Sequence, residues 1–201
     1  MGTPMVTDSQ SDRLLRTLAS VPVSSSMLHV GCGDGRHTEA LLRLGFPVHA
    51  CDPRGDAVED TRAVVRELVD AETAASCVQQ RSLQTLQALD ETFDWAIVDR
   101  TEALADSVEQ VDALLQKLHD LVTPGGWVYL TVPAAPDDAE EGGVSGERRR
   151  DDTGIRLQPS DLEADALDTD LVESRSPSRV HERGTERIHA VYRRVKRSGT
   201  G

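Results

Sequence analysis

The chain has 201 residues, enough for one domain with a substantial core, and carries 35 acidic against 22 basic residues for a formal net charge of −13. That balance argues against a duplex nucleic-acid partner, which needs a basic footprint, and none is expected; the short runs Arg148-Arg149-Arg150 and Arg193–Arg197 read as solvated loop and tail. No window reaches the length of an apolar membrane span, Met1–Gln10 lacks the apolar core of a signal peptide, and a cytoplasmic location is expected. Lys117 and Lys196 are the lysines, and aromatic residues make up 3%. An acidic, lysine-poor and aromatic-poor surface suggests halophilic adaptation, and an ordinary acidic protein from a GC-rich genome is the alternative.

Residues 11–20 form a short leading helix with Leu14, Leu15 and Leu18 on one face, so 1–24 is read as a tail plus helix. The first strand is 26–30. Helix 37–44 follows and is closed by Gly45. A second strand, 47–51, leads to helix 56–71, where Val58, Val65, Leu68 and Val69 recur at helical spacing. Strand 75–80 and a short helix, 83–89, come next. The run 93–98 is continuously apolar, as in a central parallel strand. Helix 103–122 carries an apolar stripe from Leu104 to Val122, and Pro124-Gly125-Gly126 stops it before strand 127–132. Residues 134–158 are rich in Pro, Gly, Asp, Glu and Arg, and read as a flexible acidic loop, either a lid or disordered. Ser160-Asp161-Leu162-Glu163 has the form of a capping box opening a helix. Strands 170–175 and 187–194 close the sheet, the last alternating Ile188, Ala190 and Tyr192 with charged neighbours as an edge strand would. Alternating strands and helices imply an α/β, doubly wound, mostly parallel seven-stranded sheet with an antiparallel edge strand, as one domain over 25–197 before a tail at 198–201.

The segment Met27–Gly35 carries the chemistry. A short apolar run enters a turn with glycine at Gly31, Gly33 and Gly35, a helix follows, and the next strand ends at Asp52. Strand, glycine turn, helix, strand, terminal acid is the layout of a nucleoside-binding βαβ unit. A pyrophosphate turn is spaced G-x-G-x-x-G; here the glycines fall at every second residue and enclose Asp34. A carboxylate there would repel a pyrophosphate and suits a ligand bearing an ammonium group. Asp52 can accept two hydrogen bonds from a ribose diol. An adenosine bearing an amino acid satisfies both, and S-adenosylmethionine (SAM) is that ligand. An NAD-dependent oxidoreductase fits the turn less well.

In these residues the chain resembles the class I (Rossmann-like) SAM-dependent methyltransferases. Their glycine motif is similar to Leu28–Gly35, their ribose acid to Asp52, their fourth strand to Phe93–Val98, and their fifth, after a Pro-Gly-Gly turn, to Thr123–Leu130. The resemblance implies a Rossmann-like methyltransferase fold and a cofactor site of Gly31, Cys32, Gly33, Asp34, Gly35, Asp52, Pro53 and Ser82. Ser82 stands where the family usually keeps an adenine-binding acid, and His29 where it usually keeps an acid two residues before the first glycine. Substrate-side candidates follow the fourth strand: Asp99, to orient a nucleophile or act as base, and Arg100, to bind an acidic substrate, with a helix cap and a surface arginine as the alternative. His37 faces ligand or solvent equally well. His29 and His49 lie near the ends of adjacent strands and are read as sheet residues in contact, and no metal site is expected. Cys32, Cys51 and Cys77 have neither C-x-x-C spacing nor histidine-rich partners, so packed thiols are expected, with Cys51 and Cys77 on neighbouring strands. The activity implied is in-line methyl transfer to a small-molecule acceptor, with a catalytically degenerate SAM- or nucleoside-binding scaffold as the alternative. Acceptor identity and oligomeric state stay open.

Overall fold

A computed structural model describes residues 10–86, 89–136, 150–151, 154–163, 171–182 and 185–195. Seven strands form one sheet: β1 (Met27–Val30), β2 (Val48–Asp52), β3 (Val78–Gln80), β4 (Phe93–Val98), β5 (Val122–Pro133), β6 (Leu171–Glu182) and β7 (Thr185–Arg194). Their spatial order is β3-β2-β1-β4-β5-β7-β6. The first five run parallel, and β7 is antiparallel to both β5 and β6. The antiparallel edge is therefore a hairpin. The strand read from its alternation as the outermost, 187–194, lies one position in, and β6 forms the rim.

Helices α1 (Gln10–Leu18), α2 (Arg36–Arg43), α3 (Gly55–Val65) and α4 (Ala71–Cys77) share one side of the sheet, and α5 (Val108–Leu121) covers the other. The two-residue step of the strands sorts the core accordingly. Trp95, Ile97 and Tyr129 pack with Leu14, Leu18 and Leu41. Ala96, Val98, Val128 and Leu130 pack with Leu114, Leu115 and Leu118. Helix α2 ends as anticipated at Gly45, with Gly45 N–H bonding to Leu42 C=O and Phe46 N–H to Leu41 C=O.

Local capping moves several boundaries. The stretch read as one helix over 56–71 is two, because the Asp70 carboxylate accepts Thr73 N–H at 2.9 Å and starts α4. That helix takes the first half of the segment read as strand 75–80, so Cys77 ends a helix and is not on a strand beside Cys51. Of the short helix read at 83–89, residues 83–85 form a turn, Leu86 is 3₁₀-helical, and 87–88 lie outside the described residues. Ser107 caps α5 by accepting Gln110 N–H, which leaves Thr101–Ala103 as a separate 3₁₀ turn. The capping box near 160 sits two residues earlier than read: Gln158 is the cap and Asp161 its partner, and they open only the 3₁₀ turn Pro159–Leu162. Most of the 134–158 loop lies outside the described residues. Its described ends are packed, with Ala134, Ile155 and Leu157 all buried in the core.

Pro124-Gly125-Gly126 is part of β5, where the register against β4 shifts between Phe93 and Trp95. A Cβ on Gly126 would stand 2.5 Å from Val122 Cγ1 and 2.7 Å from the Asp94 carbonyl oxygen. Gly126→Ala is expected to cost about 1–3 kcal/mol, the range of overpacked sites. Urea unfolding checks this: the midpoint should fall with an unchanged slope, and an unmoved midpoint would mean the shifted strand yields.

Candidate functional site

The carboxyl ends of β1, β2 and β4 bring the predicted residues to one edge of the sheet. After β1 the chain turns on Gly31, Gly33 and Gly35, with φ of +80°, +56° and +78°. These left-handed values suit only glycine without strain. Gly35 is also closely packed: a Cβ there would meet Thr61 Cα at 2.9 Å, so the turn is seated directly on α3. A Cβ on Gly33 would stand 3.2 Å from Arg100 Nη1, which puts the Arg100 side chain against the turn.

Asp52, at the end of β2, is buried and tied to the same turn. Its Oδ2 accepts Gly33 N–H at 3.1 Å, and its Oδ1 accepts Arg54 N–H at 2.9 Å and Arg54 Nε–H at 3.4 Å. Pro53 and Ser82 follow the ends of β2 and β3: Pro53 C=O accepts from Gln80, and Ser82 N–H donates to Thr85 Oγ1. Asp34 lies at the surface, where the Arg36 guanidinium donates to it at 2.7 Å; burial opposes its ionisation, but the Arg36 hydrogen bonds hold its carboxyl below the usual range. Cys32 turns inward and its Sγ accepts from Thr61 Oγ1, so it offers the turn only its backbone. Burial pushes its thiol up to about 11. Among the described residues all three cysteines are free and buried, and burial raises the Cys51 and Cys77 thiols as well.

Asp99, the first residue past β4, does not cap a helix. It is 6% exposed and held between two histidines. His29 Nε2 donates to Oδ1 at 3.2 Å, and His37 Nδ1 donates to Oδ2. His29 Nδ1 meets Thr38 Oγ1 at 2.8 Å. Three elements thus converge on one carboxylate: β1 through His29, β4 through Asp99, and α2 through His37. Burial pushes the Asp99 carboxyl up, but the charge and hydrogen bonds of His29 and His37 outweigh it, and the group is held far below the usual carboxylate range. The donor atoms of His29, His37 and Asp99 lie within 4.8 Å of one another, a grouping of metal-ligand type that their sequence spacing concealed. His29 does not touch His49. Residues 29 and 49 are offset by one across the β1–β2 ladder, and His49 instead stacks edge-on with Phe93 and lies 3.1 Å from Glu91.

Beside this cluster is a cavity of about 210 Å³ lined by Asp34, His37, Asp99, Arg100, Glu102 and Arg187. Arg187 was not visible as a site residue in the sequence. It reaches from β7 across β5 to Glu102 (2.9 and 3.1 Å), the Asp99 carbonyl (3.1 Å) and Thr131 Oγ1 (3.2 Å). Thr131 O–H in turn donates to the Asp99 carbonyl at 2.7 Å.

The Asp99 charge sets a sign for acid stability. Its native pKa lies below the unfolded value of about 3.9, so the unfolded chain binds more protons as pH falls beneath about 4. The stabilisation is complete above that range and is lost as pH drops through it toward the native value. Urea midpoints measured from pH 6 to 2 should fall below pH 4, and more shallowly in Asp99→Asn. Parallel curves for the two proteins would place the acid sensitivity elsewhere.

Among the described residues, no helix is long and apolar enough to cross a membrane. Residues 8–171 match a family described as a methyltransferase domain. The chain is 27% identical over 125 residues to the mouse mitochondrial ubiquinone biosynthesis O-methyltransferase, covering 60% of this chain and one third of that protein. Two solved structures share the fold. Magnesium protoporphyrin IX methyltransferase from Synechocystis, with bound SAM, superposes with a TM-score of 0.65 at 16% identity over 92% of this chain and 77% of that one. The N-methyltransferase NodS from Bradyrhizobium japonicum superposes with a TM-score of 0.65 at 17% identity over 93% and 95%. With a glycine turn closed by a strand-end acid, this strand order, and a family match over most of its length, the chain belongs to the methyltransferase-domain family of Rossmann-like fold.

Proposed function

We propose that this chain is a SAM-dependent methyltransferase acting on a small molecule. The observation that carries the reading is the turn of three left-handed glycines, hydrogen-bonded to Asp52 and opening beside the His37–Asp99 cavity. The residues present fit the cofactor: the turn leaves no side chain on Gly31, Gly33 or Gly35, and each Asp52 oxygen has lone-pair capacity beyond the bonds it already accepts. Gly31, Cys32, Gly33, Asp34 and Gly35 would hold the amino-acid end, Asp52 the ribose, and Pro53 and Ser82 the base. SAM, when bound, would supply a methyl carbon activated by its sulfonium, open to in-line attack by a nucleophile with the thioether S-adenosylhomocysteine as the leaving group.

The chain's own part is alignment, exclusion of water and custody of one proton. Arg100 and the Arg187–Glu102 pair would orient the acceptor in the cavity. His37, held through Nδ1 by the Asp99 carboxylate, is the group suited to take the acceptor's proton at Nε2. His29 is fully buried and serves to position Asp99. Both the mouse relative, named for ubiquinone biosynthesis, and the magnesium protoporphyrin enzyme carry names that point to small-molecule substrates, which supports that acceptor class.

A second reading, a degenerate scaffold, is favoured by one observation: Asp52 is 1% exposed and already bonded to Gly33 and Arg54. Calorimetry separates the two in part. S-adenosylhomocysteine (SAH), the demethylated product, should bind, and Asp52→Asn should weaken it at least tenfold, the scale of a lost charged hydrogen bond of about 1.5–3 kcal/mol. A folded protein that binds neither SAM nor SAH would end the enzyme reading. His37→Gln should then lower kcat about 10²–10⁴-fold, the usual worth of general-base catalysis, with SAH affinity retained. Unchanged turnover would remove His37 from the proton path.

A further inference from the structure

A cavity larger than the one at the glycine turn lies elsewhere in the fold. It has a volume of about 980 Å³ and opens on the α1 side of the sheet, near the amino-terminal ends of β4 and β5. Its floor follows from strand register. Trp95 lies opposite Trp127, and Trp127 opposite Arg193, so three strands contribute one row of side chains to the same face. The two indoles stack at 5.5 Å between centroids with planes 13° apart. The Arg193 guanidinium lies 5.1 Å above the Trp127 ring. These are the chain's two tryptophans. Trp95 is buried beneath α1, whereas Trp127 is only partly buried and lines the cavity.

The walls are cationic. Arg13 and Arg16 of α1 and Arg175 of β6 join Arg193 around the opening, in a chain whose net charge is strongly negative. Among the described residues the one acidic lining residue is Asp94, and it is committed to the scaffold: its Oδ2 accepts Ser26 N–H at 2.9 Å and Ser26 O–H at 3.3 Å, and its Oδ1 accepts Thr123 O–H at 3.4 Å. Toward the carboxyl edge the cavity is walled by Tyr129 and His189, whose Oη and Nδ1 are 2.6 Å apart. Trp95 and Asp99 are four residues apart along β4, about 13 Å at strand rise. The cavity therefore sits at the far end of the strands that carry the glycine-turn site.

We infer that this cavity is a second binding site, separate from the methyl-transfer site, for a planar aromatic anion. Trp127, held between the Trp95 ring and the Arg193 guanidinium, offers the cavity its ring edge, against which an aromatic ring packs edge-to-face. Planar guanidinium forks at Arg175 and Arg193 pair with a carboxylate, sulfonate or phosphate more specifically than ammonium groups would. A neutral aromatic would gain the ring contact and lose the ion pairs. An aliphatic anion would do the reverse.

Because both tryptophans lie in this cavity, tryptophan emission of the full chain reports on it alone. Naphthalene-1-sulfonate is the probe, with 1-naphthalenemethanol as its neutral counterpart, each titrated with and without saturating SAH. The sulfonate should quench saturably, bind at least tenfold more tightly than the alcohol, and be unaffected by SAH. Arg175→Ala/Arg193→Ala should weaken the sulfonate at least tenfold while its urea midpoint and SAH affinity stay at parental values. Unsaturable quenching, equal affinity for sulfonate and alcohol, or displacement by SAH would overturn the site. If the double variant fails to fold, the comparison of sulfonate with alcohol on the parent chain still decides. Sedimentation tests a different occupant: a dimer that dissociates in Trp127→Glu and shows no quenching would assign the surface to a second copy of the chain instead.

Discussion

The carboxyl edge of this fold is organised around one buried charge. Asp99 leaves β4 at the point where the sheet ends, and its carboxylate has almost no access to water. An unpaired buried carboxylate costs several kcal/mol, so that position is tolerable only if donors arrive from neighbouring elements. They come from β1 as His29 and from α2 as His37. The consequence reaches beyond electrostatics. To place both imidazoles on one carboxylate, β1 must hold its register beside β4, and α2 must start at Gly35 so that its first turn faces inward. The glycine turn between β1 and α2 is thus held from both of its ends.

This arrangement also accounts for the histidine in the glycine motif. In the methyltransferases that the motif resembles, an acid usually stands two residues before the first glycine, where this chain has His29. A carboxylate is nevertheless present beside that position, because Asp99 reaches it from the next strand at 3.2 Å. His29 donates to that carboxylate and, with His37, holds it ionised. The same economy is seen at Asp52, whose two oxygens brace Gly33 and Arg54 before any ligand is considered.

The parts of the fold that rest on local periodicity were legible in the sequence. The apolar run of β4, the stripe of α5, the closure of α2 at Gly45 and the glycine turn all depend on residues within a few positions of each other. Boundaries failed where a single side chain competes with periodicity. Asp70 split one predicted helix into two and shortened β3, and Ser107 cut the start of α5. The carboxyl edge was legible only in pieces. Asp99 and Asp52 were identifiable from their place after strands, but His29 and Asp99 are 70 residues apart and Arg187 and Glu102 are 85. No spacing rule links such residues. Only the pairing of β1 with β4 and β5 with β7 brings them within reach.

That pairing carries further along β7 than its edge-like alternation implied. Ile188, Ala190 and Tyr192 are fully buried toward the α5 side, and Tyr192 O–H is anchored on the Leu162 carbonyl at 2.6 Å. Their neighbours Arg187, His189, Val191 and Arg193 necessarily fall on the opposite face. A strand repeats every two residues, so a slip of one would exchange the two sets completely. The apolar set is what forbids the slip, since it would bring three charged or polar side chains into a close-packed core. Arg187 at the glycine-turn end and Arg193 on the tryptophan floor are therefore aimed by residues that never touch either cavity. A hairpin that reads as a solvent-facing margin fixes one cationic group of each cavity, Arg187 and Arg193, through the packing of its other face.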